Sequence, residues 1–244
     1  MNIRIQRLAA IAAVALLASA PVHAGSIQVF GPDLATAKAA EANFLAGISV
    51  TGFENFEGFT VATNSSGQSL SLGTSVGTFA SVTQGTGGAC DNNGFSCATG
   101  LGILNAAQSP YSGRFNVTDP GSKWLDSFDA RVLTFTPSGN VTRVGFFITD
   151  PNDAGGRFDF TLKDGTTTTF APNIFDGALP NGRVFYVTFV ANSAIELITI
   201  ATNNRNDGYG IDDVTVGVPA PGALALLGAG LIGIGAMRRR RRVA

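Results

Sequence analysis

The sequence predicts an all-β antiparallel sandwich with one helix near its start, set between two apolar ends. Three observations carry this prediction. Short runs rich in Val, Thr and Phe are separated by turn residues, and Phe158, Phe160 and Leu162 alternate with Asp159, Thr161 and Lys163. Eighteen phenylalanines supply the large apolar side chains that two facing sheets need between them.

The chain begins with a short basic stretch from Met1 to Arg7, followed by an apolar run from Leu8 to Ala18 and then Ser19-Ala20-Pro21-Val22-His23-Ala24. A basic start, a short apolar run and a small-x-small ending are the three parts of a secretory signal peptide, which assigns residues 1–24 to a removable leader cleaved after Ala24. Leu8 to Ala18 is short for a membrane span, and Pro21 would end a retained helix.

Gly31-Pro32 is a turn and Asp33 a capping residue, so the alanine-rich stretch that follows reads as a helix over about 33–46, closed by Gly47. From 48 to 110, Gly, Ser, Thr and Asn separate short apolar pieces, as expected of short strands with long polar turns. Strand-like runs then recur over 131–136, 141–149, 157–163, 166–170, 183–190, 195–201 and 211–218. Asp164-Gly165 is a favourable hairpin turn, and Asp150-Pro151-Asn152-Asp153 also reads as a turn. The sandwich is therefore expected over residues 25–218.

Beyond it, Ala220 to Met237 carries no charge and ends in Arg238, Arg239, Arg240, Arg241 and Arg242. At about 1.5 Å rise per residue this apolar stretch reaches ~27 Å, close to the hydrocarbon thickness, and predicts a transmembrane helix. The arginine block would stay cytoplasmic, leaving the β domain across the membrane.

All seventeen acidic residues lie within 25–218, but only nine of the sixteen Lys and Arg do, so the domain carries a net charge of about −8. An acidic surface argues against nucleic acid as a partner. Once the leader carrying His23 is removed, no histidine remains, which excludes Ser-His-Asp and Cys-His catalysis and histidine-based zinc sites. No phosphate-binding loop with its lysine is present. A glycosidase using carboxylates alone stays open as chemistry, with nothing to pick out its acid pair. The protein is accordingly read as non-enzymatic.

Cys90 and Cys97 enclose a turn-forming loop and are expected to form a disulfide bond in an oxidising, exported setting. Glu54 and Glu57 near the first strand of the sandwich, with Asp207, Asp212 and Asp213 entering the last, offer hard oxygens suited to a structural calcium ion (Ca2+) if those strands pair. Strand alternation would send Asp212 and Asp213 to opposite faces, and the plain alternative is that these acids are solvated and serve turns. Trp124, Tyr111 and Tyr209 are the candidates for stacking on sugar rings, the alternative being partly buried packing.

The C-terminal tail, residues 219–244, resembles the PEP-CTERM sorting signal: a Pro-Glu-Pro motif, an apolar helix and an arginine cluster. Here Pro219 and Pro221 flank Ala220 where the family has glutamate. The resemblance implies an exosortase as sorting partner and a Gram-negative bacterium that makes exopolysaccharide. It also implies initial anchoring in the inner membrane, followed by delivery to the cell surface or extracellular matrix. The helix ending in Phe44-Leu45, the Phe53-to-Gly58 start and the Gly208-to-Val216 close resemble the sandwich domains of an exported family carrying this tail. Those domains are similar in outline to carbohydrate-binding jelly rolls, which implies a jelly-roll-like fold. The expected function is a non-enzymatic surface or matrix protein associated with extracellular polysaccharide; the rival readings are an adhesive protein binding another protein and a carboxylate glycosidase.

Overall fold

Apolar residues at every second position make a strand that buries one face, and Phe158–Asp164 does so: Phe158, Phe160 and Leu162 are fully buried while their neighbours are not. The computed structural model describes residues 25–64, 66–86, 94–96, 100–175, 177–220 and 222. In chain order the elements are β1 (Ser26–Phe30), α1 (Leu34–Ala46), β2 (Ile48–Glu54), β3 (Ser71–Gly73), β4 (Gly77–Thr83) and β5 (Gly102–Asn105). They continue with β6 (Lys123–Asp126), β7 (Val132–Pro137), β8 (Arg143–Thr149), β9 (Phe158–Asp164) and β10 (Thr167–Ala171). The last are β11 (Val184–Val190), β12 (Ile195–Thr202) and β13 (Gly210–Pro219).

These strands form two antiparallel sheets. One has seven strands in the order β1-β11-β8-β13-β6-β5, with β2 pairing β13, and the other six in the order β10-β9-β12-β7-β4-β3. The main core lies between them, where Phe189 of the first sheet, stacked on Phe146, meets Phe160 of the second, and Phe79 stacks on Phe135 at 4.4 Å. Each fully buried phenylalanine contributes about 1.5–3 kcal/mol of transfer free energy, so this layer is the main source of stability.

The outer face of the first sheet is covered in part by α1. Asp33 caps that helix by accepting from the Thr36 N–H at 2.9 Å, and Ala37 and Phe44 pack against Phe147 and Tyr186. The β9–β10 hairpin turns on Gly165 and Thr166, one residue later than the sequence suggests. Asp164 is still paired with Thr167, and Gly165 at φ +57 leads the two-residue loop, the place where glycine is favoured.

β13 runs through Pro219, which pairs with Ile48, and the Ala220 N–H donates to the Gly47 carbonyl at 3.1 Å. Residues 219 and 220 thus continue the pairing of β13 with β2. Among the described residues no helix is long and apolar enough to cross a membrane. The expected transmembrane helix, and with it the inner-membrane anchoring and the surface or matrix localisation derived from it, is withdrawn; Pro221 and residues 223–244, including the arginine cluster, lie outside the described residues. The fold class is corrected in the same way to two antiparallel sheets with, among the described residues, a single named helix. No disulfide bond occurs among the described residues, and Cys90 and Cys97 lie outside them, so that expectation is not carried further; the signal-peptide residues 1–24 also lie outside them.

Candidate functional site

The acids expected to share one calcium site do not form one group. Glu54 accepts from the Phe56 N–H and, with its other oxygen, from the Ser75 N–H and hydroxyl. Glu57 accepts from the Ser122 and Lys123 N–H groups, each at 2.7 Å. Asp212 accepts from the Val117 N–H at 2.7 Å and the Thr118 N–H at 3.2 Å, and the Asn116 amide bridges it to Glu57. Burial and the neighbouring Asp213 push Asp212 up to about 7 against the pull of these backbone donors.

Asp213 meets Thr118 and Lys38. The β13–β8 register slips between Asp212 and Thr215, and Asp213 sits at φ +48, so this bulge breaks the alternation and brings both acids to the Thr118 hydroxyl. Asp207 lies in a different place altogether. Among the described residues no three His, Cys, Asp or Glu side chains are placed to hold a metal ion. The seam that Glu57, Asn116 and Asp212 form ties the loop of residues 106–122, between β5 and β6, onto the sheet.

The aromatic candidates divide as well. Trp124 and Tyr209 are each only 1% exposed: Trp124 packs with Leu104 and Phe128, and Tyr209 lies edge-on to Phe158 at 5.3 Å. Neither offers a surface for stacking, and both are corrected to core residues. The pattern behind this is legible afterwards, since both lie in or beside strands that pair on each other. Tyr111 is half-buried and lines a pocket.

That pocket has a volume of about 280 Å³, and its wall includes Tyr111, Arg114, Asp129, Asp150, Asp153 and Asn206. Four connections converge on it: residues 106–122, the turn after β6, the turn after β8 and the segment leading into β13. Sequence reading missed Arg114, Asp129, Asp150 and Asp153 because they are spread over three separate polar connections, with only Asp150 and Asp153 sharing one. The one local signal was the Asp150-Pro151-Asn152-Asp153 stretch, where Asp150 and Asn152 adopt φ +58 and +59.

Arg114 organises the floor. Its side chain is 7% exposed and donates to Asp126, itself fully buried, at 2.7 Å. Asp126 also accepts from the Phe128 N–H at 2.8 Å and the Trp124 indole at 3.1 Å, so the carboxylate is well supplied with donors. The guanidinium lies 4.0 Å from the centre of the Tyr111 ring, fixing that ring by a cation–π contact. Gly113, at φ +97, lets the loop approach Asp150 and Asn181 where a Cβ would collide with both.

Two acids near Arg114, Asp150 and Asp207, are costly to ionise. Burial pushes Asp150 up to about 6, partly offset by the Gly182 N–H that donates to it at 2.7 Å. Asp207 is raised further, by burial first and then by the side chain of Asp153 against it; both its oxygens are buried and accept from no protein donor. The folded chain therefore holds protons that the unfolded chain, with aspartates near 3.9, releases. This contribution to stability is complete below about pH 4 and is lost as pH rises through about 6 and beyond. Thermal melts are expected to show a lower Tm at pH 8 than at pH 5.5. Asp207→Asn should flatten that slope and raise stability at pH 8 by about 1–3 kcal/mol; an unaltered slope would refute the assignment.

A larger groove of about 440 Å³ runs between α1 and strands β1 and β11, lined by Phe30, Ala40, Phe44 and Val190 among others. Its polar groups, from Gln28, Thr36, Asn43 and Thr188, are all uncharged, whereas the smaller pocket gathers an aromatic ring, a guanidinium and several carboxyls at one place, the convergence of polar groups that binding sites show. The smaller pocket is therefore the candidate site. Fold and pocket together define a two-sheet antiparallel domain with a polar, aromatic-walled cavity at the loop ends of the sheets.

Neither a protein-family model nor a curated protein matches this chain. Among solved structures, the K2 cleaved adhesin domain of Lys-gingipain is 14% identical over 68% of this chain and 98% of its own, with a TM-score of 0.38. TmCBM61, solved with beta-1,4-galactotriose, is 14% identical over 48% of this chain and 81% of its own, with a TM-score of 0.26. The C-terminal family 22 carbohydrate binding module of Clostridium thermocellum Xyn10B is 12% identical over 49% and 82%, with a TM-score of 0.29. At these identities and scores the likenesses carry nothing about this chain's fold, ligand or activity.

Proposed function

We propose that this chain is a non-catalytic sugar-binding module and that the Tyr111–Arg114 pocket is where it holds its ligand. The observation that carries the reading is the convergence of one fixed aromatic ring with several hydrogen-bonding groups in a cavity of about 280 Å³. A pyranose presents an apolar C–H face and a rim of hydroxyls, and binding requires a flat apolar partner for the first and polar partners for the second. Tyr111 provides the flat partner. Asp153 and Asn206 provide hydrogen-bonding groups on the rim.

Binding of the full chain to an oligosaccharide array, repeated with Tyr111→Ala, tests this. The unsubstituted chain should bind, and Tyr111→Ala should weaken binding about ten- to thirtyfold, as loss of a central aromatic anchor does. Tyr111→Phe should bind nearly as well because the ring face is kept. Absence of binding by the unsubstituted chain, or equal binding by Tyr111→Ala, contradicts the reading.

A further inference from the structure

We propose that the pocket is selective for an amino sugar carrying a free ammonium group, seated beside Asp150 and Asp153 with Asp207 behind them. This deepens the sugar-binding reading and rests on it. Three features point to a cationic ligand. Arg114 is the one basic residue on the pocket wall among the described residues, and its guanidinium is already committed to Asp126 at 2.7 Å. Among those residues, Asp150, Asp153 and Asp207 make no ion pair. Asp207, 1% exposed, directs both carboxylate oxygens into buried space without a donor and bonds toward Asp153 on the wall.

Buried carboxyls crowded around a single guanidinium that is itself paired with Asp126 are unfavourable in the empty domain. Besides one another, the groups that bear on them are Arg114, Asp126 and Tyr209, with Asp129 acting on Arg114, and of these only Arg114 is cationic. An ammonium supplies three donors and a positive charge at this point, which an N-acetyl group or a hydroxyl does not. A uronic acid would add a further negative charge to the same wall and be disfavoured. Because burial holds Asp150 and Asp207 protonated into the mildly acidic range, seating an ammonium drives protons off them.

Titration calorimetry of the full chain with glucosamine tetramer and with its fully N-acetylated form, at about pH 5.5 in two buffers of different ionisation enthalpy, tests the inference. At that pH the sugar ammonium keeps its own proton, so proton release reports the carboxyls. The amine form is expected to bind about tenfold more tightly than the N-acetylated form and to release protons, with none released by the latter. Asp153→Asn should cut the preference to about threefold or less. Equal binding of the two tetramers, or proton release driven by calcium alone and not by the amine, overturns the ammonium site while leaving the sugar-binding reading intact. Binding of neither tetramer nor any other oligosaccharide on the array overturns both.

Discussion

Arg114→Met is expected to lower the unfolding free energy by about 3–5 kcal/mol, read as a fall in the urea midpoint at unchanged slope. Asp126 is fully buried, and removing the guanidinium leaves its charge without a counter-ion in a place water does not reach. The Trp124 indole and the Phe128 N–H remain as donors, which softens the loss without replacing the charge. The paired variant Arg114→Met/Asp126→Leu should recover part of the loss, since an apolar pair carries no desolvation cost, although Trp124 and Phe128 then lose their acceptor. A single Arg114→Met variant within about 0.5 kcal/mol of the parent would mean that the pair is solvated and that the pocket floor is not built as described.

Trp124→Ala should cost a similar amount, about 3–5 kcal/mol, with sugar binding lost only because the domain no longer folds well. The indole is 1% exposed, packs between Leu104 and Phe128 and donates to Asp126, so truncation opens a cavity and removes a donor from a buried carboxylate at once. If Trp124 were a stacking platform, the alanine variant would keep its stability and lose binding alone. A melting curve distinguishes the two outcomes. Tyr111→Ala is the counterpart, expected to weaken binding with a much smaller change in Tm because that ring is only half-buried.

What the residues disclosed before folding was local. Asp33 and Gly47 mark the ends of α1 because capping is settled within a turn of chain, and the Phe158-to-Lys163 alternation marks β9 because pleating is settled by the strand itself. Strand pairing was not legible, since it depends on contacts between segments far apart: β1 pairs β11, and β2 pairs β13. The same limit governed the site. Trp124 and Tyr209 look alike to Tyr111 as letters, and only the pairing of β6 with β13 decides that the first two face inward. Asp212 and Asp213 were misjudged because a bulge cannot be read from alternation. Asp207 was grouped with them by closeness in sequence, whereas its neighbours in space are Asp153, Asp150 and Arg114.

The pocket itself is a product of four turns that hold few apolar residues, so no hydrophobic pattern announces it. Its composition is nonetheless informative once assembled. Polar turn residues are ordinarily solvated, but here Arg114, Asp150 and Asp207 are buried, together with Asp126 at the end of β6, a placement that costs stability and that functional sites commonly accept.

The most direct test of the account is a crystal structure of the protein grown with a bound oligosaccharide. The sugar should lie with one pyranose face against the Tyr111 ring and its polar edge within hydrogen-bond distance of Asp153 and Asn206. A sugar seated in the groove between α1 and β11, with the Tyr111 pocket empty, would contradict it.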